Sequence, residues 1–306
     1  MGKSEVALLL AERLDGEIVS ADSMQVYRGL DVGTAKPSPA ERVRVPHHLI
    51  DICDVTQSFD AAQFVRLATN AMNEIESRGR LAILSGGTGL YLKAFLYGLG
   101  TGPQADPALR AELENVPLPD LLHELAARDP ETYQRIDKQN PRRVIRAIEI
   151  LRRSELPPSN HRADWKSANA LQQAAQAARV FALIRPMPEL YHRIDTRVDQ
   201  MFRDGLEAET KKLLEQQPAS NSTALQAIGY RQVVEYLRGE RPLQETIALV
   251  KQRTHHFARR QLTWLRHQLA VERIDWSAGQ TAADVARQIE RSFRNPTLTA
   301  SASTTT

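Results

Sequence analysis

Short apolar runs set between amphipathic helical patterns constrain this chain more than any other feature of its sequence. Ser4 to Leu14 places Val6, Ala7, Leu10 and Leu14 at helical spacing. Glu17 to Ala21, with Ile18 and Val19 at its centre, suits a buried strand that ends at Asp22. Ala61 to Arg78 reads as an amphipathic helix closed by Gly79. Leu81-Ala82-Ile83-Leu84 reads as a second strand, running into Gly86-Gly87-Thr88-Gly89 and a helix from Leu90. Strands alternating with helices imply an α/β fold with a parallel sheet, whose sites lie at the carboxyl ends of its strands. Asp22 and Thr88 both fall at such ends.

The middle of the chain changes character. From about Ala105 to Trp165 the patterns are helical, with no convincing strand, and prolines interrupt them at 107, 117, 119, 130, 141, 157 and 158. Asn140-Pro141 is a good helix start, a cap followed by a first-turn proline. Val180 to Ile184 then returns to the strand pattern. Long helices are expected from Pro188, from about Tyr230, and from about Pro242 to Leu269. The expected organisation is an α/β core of residues 1–104 and 166–296, an all-helical insertion at 105–165, and a low-complexity, disordered tail at 297–306.

Composition narrows the class. No stretch reaches the roughly 18 consecutive apolar residues of a membrane span, and no signal peptide opens the chain. Cys53 is the only cysteine, which excludes internal disulfides and fits a reducing cytoplasm. A monomer is the default expectation. The net charge of +3 does not by itself mark a nucleic-acid partner, so its distribution carries the argument.

Gly2-Lys3-Ser4 opens the first helix and matches the end of the P-loop pattern G-x-x-x-x-G-K-[ST]. In that loop backbone amides and a helix N-terminus hold phosphate, the lysine adds charge, and the hydroxyl ligates magnesium. Taken alone the run fits an accidental start as well. The first glycine of the pattern and the strand before it do not occur in the sequence. The expectation is therefore a P-loop-type fold lacking its N-terminal strand and the start of its loop. Lys3 and Ser4 would then fray, the absent strand would belong beside Ile18-Val19, and the chain would be weak in catalysis and prone to aggregate.

Further runs are more specific. Asp22-Ser23-Met24-Gln25-Val26-Tyr27 leads through Asp31 to Gly33-Thr34-Ala35-Lys36-Pro37. His47-His48-Leu49-Ile50-Asp51, Gly86-Gly87-Thr88-Gly89-Leu90-Tyr91, Ile228-Gly229-Tyr230-Arg231-Gln232 and Arg260-Gln261-Leu262-Thr263-Trp264-Leu265-Arg266 follow in order. Together these motifs, spanning residues 2 to about 267, resemble those of the bacterial tRNA dimethylallyltransferases. The resemblance implies transfer of a dimethylallyl group from dimethylallyl pyrophosphate to N6 of adenine 37 in the tRNA anticodon loop, with Mg2+ as cofactor.

The resemblance also implies roles. Asp22 matches the carboxylate that takes the proton of the attacking amine, and Ser23, Met24 and Gln25 would line the way in for the RNA. Gly2, Lys3 and Ser4, the last as metal ligand, would meet the pyrophosphate. Thr88 matches a hydroxyl near the leaving group, and Arg197 an arginine that contacts it. Arg110 lines up with another functional position. Enzymes that modify a base in a stacked loop extrude it at a cost of a few kcal/mol, which phosphate and base contacts must return. Arg142, Arg143, Arg146, Arg152 and Arg153 form one basic stripe, and Lys251, Arg253, Arg259, Arg260 and Arg266 a second. Gln226, Ala227, Ile228, Gly229, Tyr230 and Arg231 would add a third contact segment. Each stripe is also what a solvated helix face looks like.

Three other readings compete. A small-molecule P-loop kinase would share the nucleotide-binding loop and the parallel sheet, but Leu84 runs into Ser85-Gly86-Gly87 without the terminal Asp that many P-loop enzymes use for magnesium. An inactive RNA-binding remnant would keep the basic stripes and lose the reaction. A metal enzyme has little support, because His47-His48 and His255-His256 are adjacent pairs, not ligand spacings.

Overall fold

The computed structural model describes residues 2–100, 102–154, 156–161, 179–216 and 223–295 of the 306. The chain divides into two compact units, Met1–Leu96 with Ala174–Thr306, and Tyr97–Gln173.

In the first unit α1 (Lys3–Arg13) leads into β1 (Gly16–Ala21), all six residues of which are buried. β1 pairs in parallel with β2 (His47–His48) along one edge and with β3 (Leu81–Gly86) along the other. Side chains alternate across the sheet. Ile18 packs with Ala7, Leu8 and Ala11 of α1, while Val19 and Ala21 pack with Phe64 and Ala68 of α3 (Ala61–Ser77) and Tyr91 of α4 (Gly89–Tyr97). Both faces are covered by helices, which is why Ile18-Val19 of β1 and Leu81-Ala82-Ile83-Leu84 of β3 are apolar at consecutive and not alternating positions. A second parallel pair, β4 (Phe181–Ile184) and β5 (Glu272–Asp275), shares a core with Val6 and Leu10 of α1. The α/β architecture with helix-flanked parallel strands is the expected one.

The second unit holds α5 (Pro107–Glu114), α6 (Leu118–Arg128), α7 (Pro130–Arg135), α8 (Pro141–Arg153) and a 3-10 turn at Pro158–His161. No strand occurs among its described residues. Each of the four α-helices among its described residues has proline at the first or second position, where the missing N–H costs nothing. Most of the prolines that punctuate this stretch are therefore helix starts. Its core is Leu113, Leu121, Leu125, Val144, Ile148 and Leu151.

Among the described residues four helices fill the C-terminal part of the first unit before β5: α9 (Met187–Arg203), α10 (Leu206–Glu215), α11 (Tyr230–Leu237) and α12 (Leu243–Gln268). The long helix expected from Pro188 stops at Arg203 because Gly205 adopts φ 100° and starts α10 in a new direction. A last helix, α13 (Ala282–Arg294), opens on a Thr281–Asp284 capping box.

Two expectations about the N-terminal region are corrected. β1 is paired on both edges, so no strand belongs beside Ile18-Val19; β2 and β3, each with β1 as its partner among the described residues, form the edges of this sheet. Lys3 does not fray, for it is half-buried as the first residue of α1. The expected tail at 297–306 and residues 162–165 of the expected insertion lie outside the described residues. No described helix is long and apolar enough to cross a membrane.

Candidate active site

Ala21 and Gly86 are register partners, so β1 and β3 end level and their following turns meet. Asp22 Oδ1 accepts the backbone N–H of Met24 at 2.9 Å, a turn in which the carboxylate closes the chain on itself. The Ser23 N–H donates to Thr88 Oγ1 at 3.0 Å, and the Thr88 N–H to the Ala21 carbonyl at 3.2 Å. A Cβ on Gly86 would lie 2.2 Å from the Ala21 oxygen, so only glycine permits this approach.

Lys3 approaches the same turn from α1. A Cβ on Gly87 would lie 3.6 Å from Lys3 Nζ and 2.4 Å from Gln261 Nε2, which donates to the Gly87 carbonyl at 2.8 Å. Burial pushes Lys3 below its ordinary value; the Asp22 carboxylate opposes that shift, and the charge of Arg197 adds to it. Arg197 on α9 is likewise lowered by burial and supported by Asp22. Among the described residues no ion pair includes Lys3 or Arg197, and the Asp22 carboxylate acts on both at longer range. Asp22 thus sits with two partly desolvated cations, an arrangement that favours a bound anion.

Other residues shape the surroundings. Gly2, at φ 91°, caps α1, and a Cβ there would lie 2.6 Å from the Trp276 ring. Arg185 stacks over Trp276 at 3.4 Å and pairs with Glu189. Ser4 is exposed in the first turn. A cavity of about 1050 Å³ opens between residues 31–42 and α9, with Arg197, His192, Arg193 and Lys36 in its wall. Lys36 is buried between Asp31 and Asp51, 2.6 Å from each, and also reaches the Tyr27 carbonyl at 2.8 Å.

The RNA-contact expectations fare unevenly. Ser23 and Met24 are half-buried beside Asp22, but Gln25 is buried and acts as a brace. Its Nε2 donates to the Thr34 and Ala35 carbonyls, and its Oε1 accepts from Ser20. Gln226 is exposed, and Ala227 and Ile228 are half-buried, while Gly229 and Tyr230 lie in the core and Arg231 is exposed and pairs with Glu235. Tyr230 therefore cannot touch RNA. On α12 Lys251 pairs with Asp199, and Arg253, Arg259, Arg260 and Arg266 are exposed.

In the second unit the basic stripe is largely tied down. The wholly buried Glu149 carboxylate takes Arg110 at 3.0 Å, Arg146 at 2.5 Å and the Asp106 N–H at 2.5 Å. Arg152 pairs with Glu112 and Glu124, and Arg153 lies 3.7 Å from Asp106. Arg110 and Arg146 thus hold α5, α8 and the preceding loop together, a correction to their reading as an open RNA-facing surface. Arg142 and Arg143 are exposed.

Sequence reasoning passed over Gln261 and Trp264 as site residues. Both lie on α12 against the glycine turn, where a Cβ on Gly89 would meet the Trp264 ring at 2.6 Å. It also passed over Glu209, whose carboxylate binds the 31–33 backbone.

A sequence model of the IPP transferase family matches residues 25–268. The chain is 46% identical over 263 residues to tRNA dimethylallyltransferase 1 of Citrifermentans bemidjiense, covering 86% of this chain and 85% of that protein. It is 46% identical over 275 residues to tRNA dimethylallyltransferase 1 of Trichlorobacter lovleyi, covering 89% of each. Among solved structures, the tRNA isopentenylpyrophosphate transferase of Bacillus halodurans superposes with a TM-score of 0.67 at 38% identity, covering 96% of this chain and 93% of that one.

Proposed function

This chain belongs to the IPP transferase family, and on that premise we propose that it transfers the dimethylallyl group of dimethylallyl pyrophosphate to N6 of adenine 37 in the tRNA anticodon loop. The observation that carries the reading is the placement of Asp22 with Lys3 and Arg197, two desolvated cations without ion-pair partners among the described residues. A carboxylate alone serves many reactions. One flanked by such cations suits a step in which an amine loses a proton while an anion departs.

The chemistry follows from those groups. The lone pair of the adenine amine is delocalised into the ring, so the amine is a poor nucleophile until its proton has somewhere to go. As the new N–C bond forms, the bond from the prenyl carbon to the pyrophosphate oxygen breaks, and the proton passes to Asp22. Asp22 Oδ1 is held by Met24, which fixes the carboxylate plane. Lys3, Arg197 and the N-terminus of α1 meet the growing negative charge on the leaving oxygen, and the Thr88 hydroxyl lies at the same turn.

Ser4 is the residue that would hold a magnesium ion. Among the described residues no group of three His, Cys, Asp or Glu could hold a metal, and the exposed Ser4 hydroxyl offers one oxygen. Such a donor set fits a magnesium ion carried mainly by phosphate oxygens and water; when bound it would neutralise leaving-group charge. Exposed Arg142, Arg143, Arg253, Arg260 and Arg266 are the proposed phosphate contacts of the tRNA.

The test is direct. The protein is incubated with dimethylallyl pyrophosphate, magnesium and unmodified tRNA bearing adenine at position 37, and N6-prenylated adenosine and released pyrophosphate are quantified. Equal amounts of both support the reading. Phosphoryl transfer from ATP to a small molecule, with no prenylated tRNA, would replace it with the kinase reading.

A further inference from the structure

We infer that Glu209 is a positioning residue for this reaction: it fixes the 31–35 loop and, through Gln25, the turn that carries Asp22. The inference rests on the assignment of Asp22 as proton acceptor.

Glu209 lies on α10, and its carboxylate binds three successive backbone amides. Oε2 accepts from Asp31 at 2.9 Å and Val32 at 2.8 Å, and Oε1 from Gly33 at 3.1 Å. Consecutive N–H groups converging in this way form an anion-binding concavity. Oε1 also accepts the Tyr230 hydroxyl at 2.5 Å. Burial and the adjacent Glu209 carboxylate push that phenol well above its ordinary value, so it remains a donor. A Cβ on Gly33 would lie 2.5 Å from the Tyr230 ring, so the glycine admits the ring that completes the clamp.

The clamped loop reaches the catalytic turn in two steps. Its Thr34 and Ala35 carbonyls accept Gln25 Nε2 at 3.3 and 3.5 Å, and Gln25 Oε1 accepts Ser20 Oγ on β1 at 3.0 Å. The Gln25 N–H in turn reaches Asp22 Oδ1 at 3.4 Å. Gln25 is thus held on one side by a loop that Glu209 sets and on the other by the strand that ends at Asp22. Glu209 does not line the cavity formed by that loop and α9, so it acts through its partners and not on substrate. Loss of its carboxylate frees three amides and one hydroxyl and lets the loop shift. A displacement of about 1 Å at a reacting group costs up to about 10²-fold in rate.

The experiment uses the full chain and single-turnover prenyl transfer, with tRNA affinity and thermal stability measured in parallel. Glu209→Ala is expected to lose rate by up to about 10²-fold with tRNA affinity within about twofold. Formate or acetate, which fits the vacated amides, is expected to restore rate to that variant and to leave wild type and Asp22→Ala unchanged. Glu209→Gln keeps the shape and one acceptor oxygen, so it is expected to fall between wild type and Glu209→Ala, and it carries the test if the alanine variant does not fold. An unchanged rate in both variants overturns the inference. So does a loss that tracks only a lower melting temperature and is not rescued by carboxylate. A wild-type protein that transfers no prenyl group contradicts the underlying function instead, which keeps the two failures apart.

Discussion

The backbone N–H of Ser23 donates to the hydroxyl of Thr88 at 3.0 Å, so the turns after β1 and β3 are one hydrogen-bonded unit. Sixty-five residues separate the two in sequence. Thr88 therefore holds the Asp22 turn, and the proposed reaction gives its hydroxyl a second task beside the leaving group.

Thr88→Ser keeps the hydroxyl and is expected to stay near wild-type rate. Thr88→Val keeps the shape and is expected to lose about 10²-fold, the usual cost of removing one donor from a developing negative charge. Single-turnover kinetics separate the two variants; equal rates in both would remove Thr88 from the reaction.

Lys3 sets a pH dependence. Burial holds its ammonium below the ordinary 10.5, so the charge proposed to bind pyrophosphate is lost at a lower pH than for an exposed lysine. The KM for dimethylallyl pyrophosphate should rise as pH climbs through that lowered value. The linkage has a definite sign. The ligand-free fold disfavours the protonated form, so its stability increases as pH rises from the lowered value towards 10.5, while pyrophosphate binding in that window takes up a proton. Calorimetry in buffers of differing ionisation enthalpy measures the uptake, and Lys3→Met should abolish it.

How much of this could be read from the sequence depended on what each residue touches. β3 and the Ile18-Val19 centre of β1 were plain because strands covered by helices on both faces carry consecutive apolar residues, and Asp22 and Thr88 are polar residues just beyond their ends. The α13 helix carries an equally plain signal, since Ala282, Val285, Ala286 and Ile289 keep helical spacing behind the Thr281 cap. β5 has a single buried residue, Ile274, in Glu272–Asp275, too little for any pattern to register. Glu209 was invisible for another reason: it bonds Gly33 across 176 residues, and nothing beside it on α10 marks it from other surface glutamates. Counting arginines on α8 also misled, because Glu149 is buried among them.

That buried glutamate separates two classes of arginine. Arg146→Ala leaves Glu149 short of a partner and should destabilise the protein by about 3 kcal/mol, at the lower end for a broken buried pair because Arg110 remains. Arg142→Ala with Arg143→Ala should change stability little and weaken tRNA binding. The slope of log affinity against log salt should become shallower by about 0.7 to 0.9 for every phosphate that the variant no longer neutralises. Thermal melts and binding titrations at several salt concentrations check both.

Acid should destabilise the fold through its paired buried carboxylates. Burial alone would raise Glu17, but hydrogen bonds from His48, Arg78 and Arg80 outweigh it and hold the carboxyl below its ordinary 4.5. Its stabilising contribution is complete above about pH 4.5 and is lost as pH falls through the lowered value. Chemical denaturation between neutral and acidic pH should show that loss, and Glu17→Gln should reduce it while lowering stability at neutral pH.

The central claim is that Asp22 accepts the proton of the attacking amine while other residues place the tRNA. It is tested most directly by single-turnover transfer in Asp22→Ala, with tRNA affinity measured on the same preparation. The expected result is a rate at least about 10²-fold lower, as for loss of a general base, with affinity within about twofold of wild type. Prenyl transfer at the wild-type rate in that variant would contradict the account.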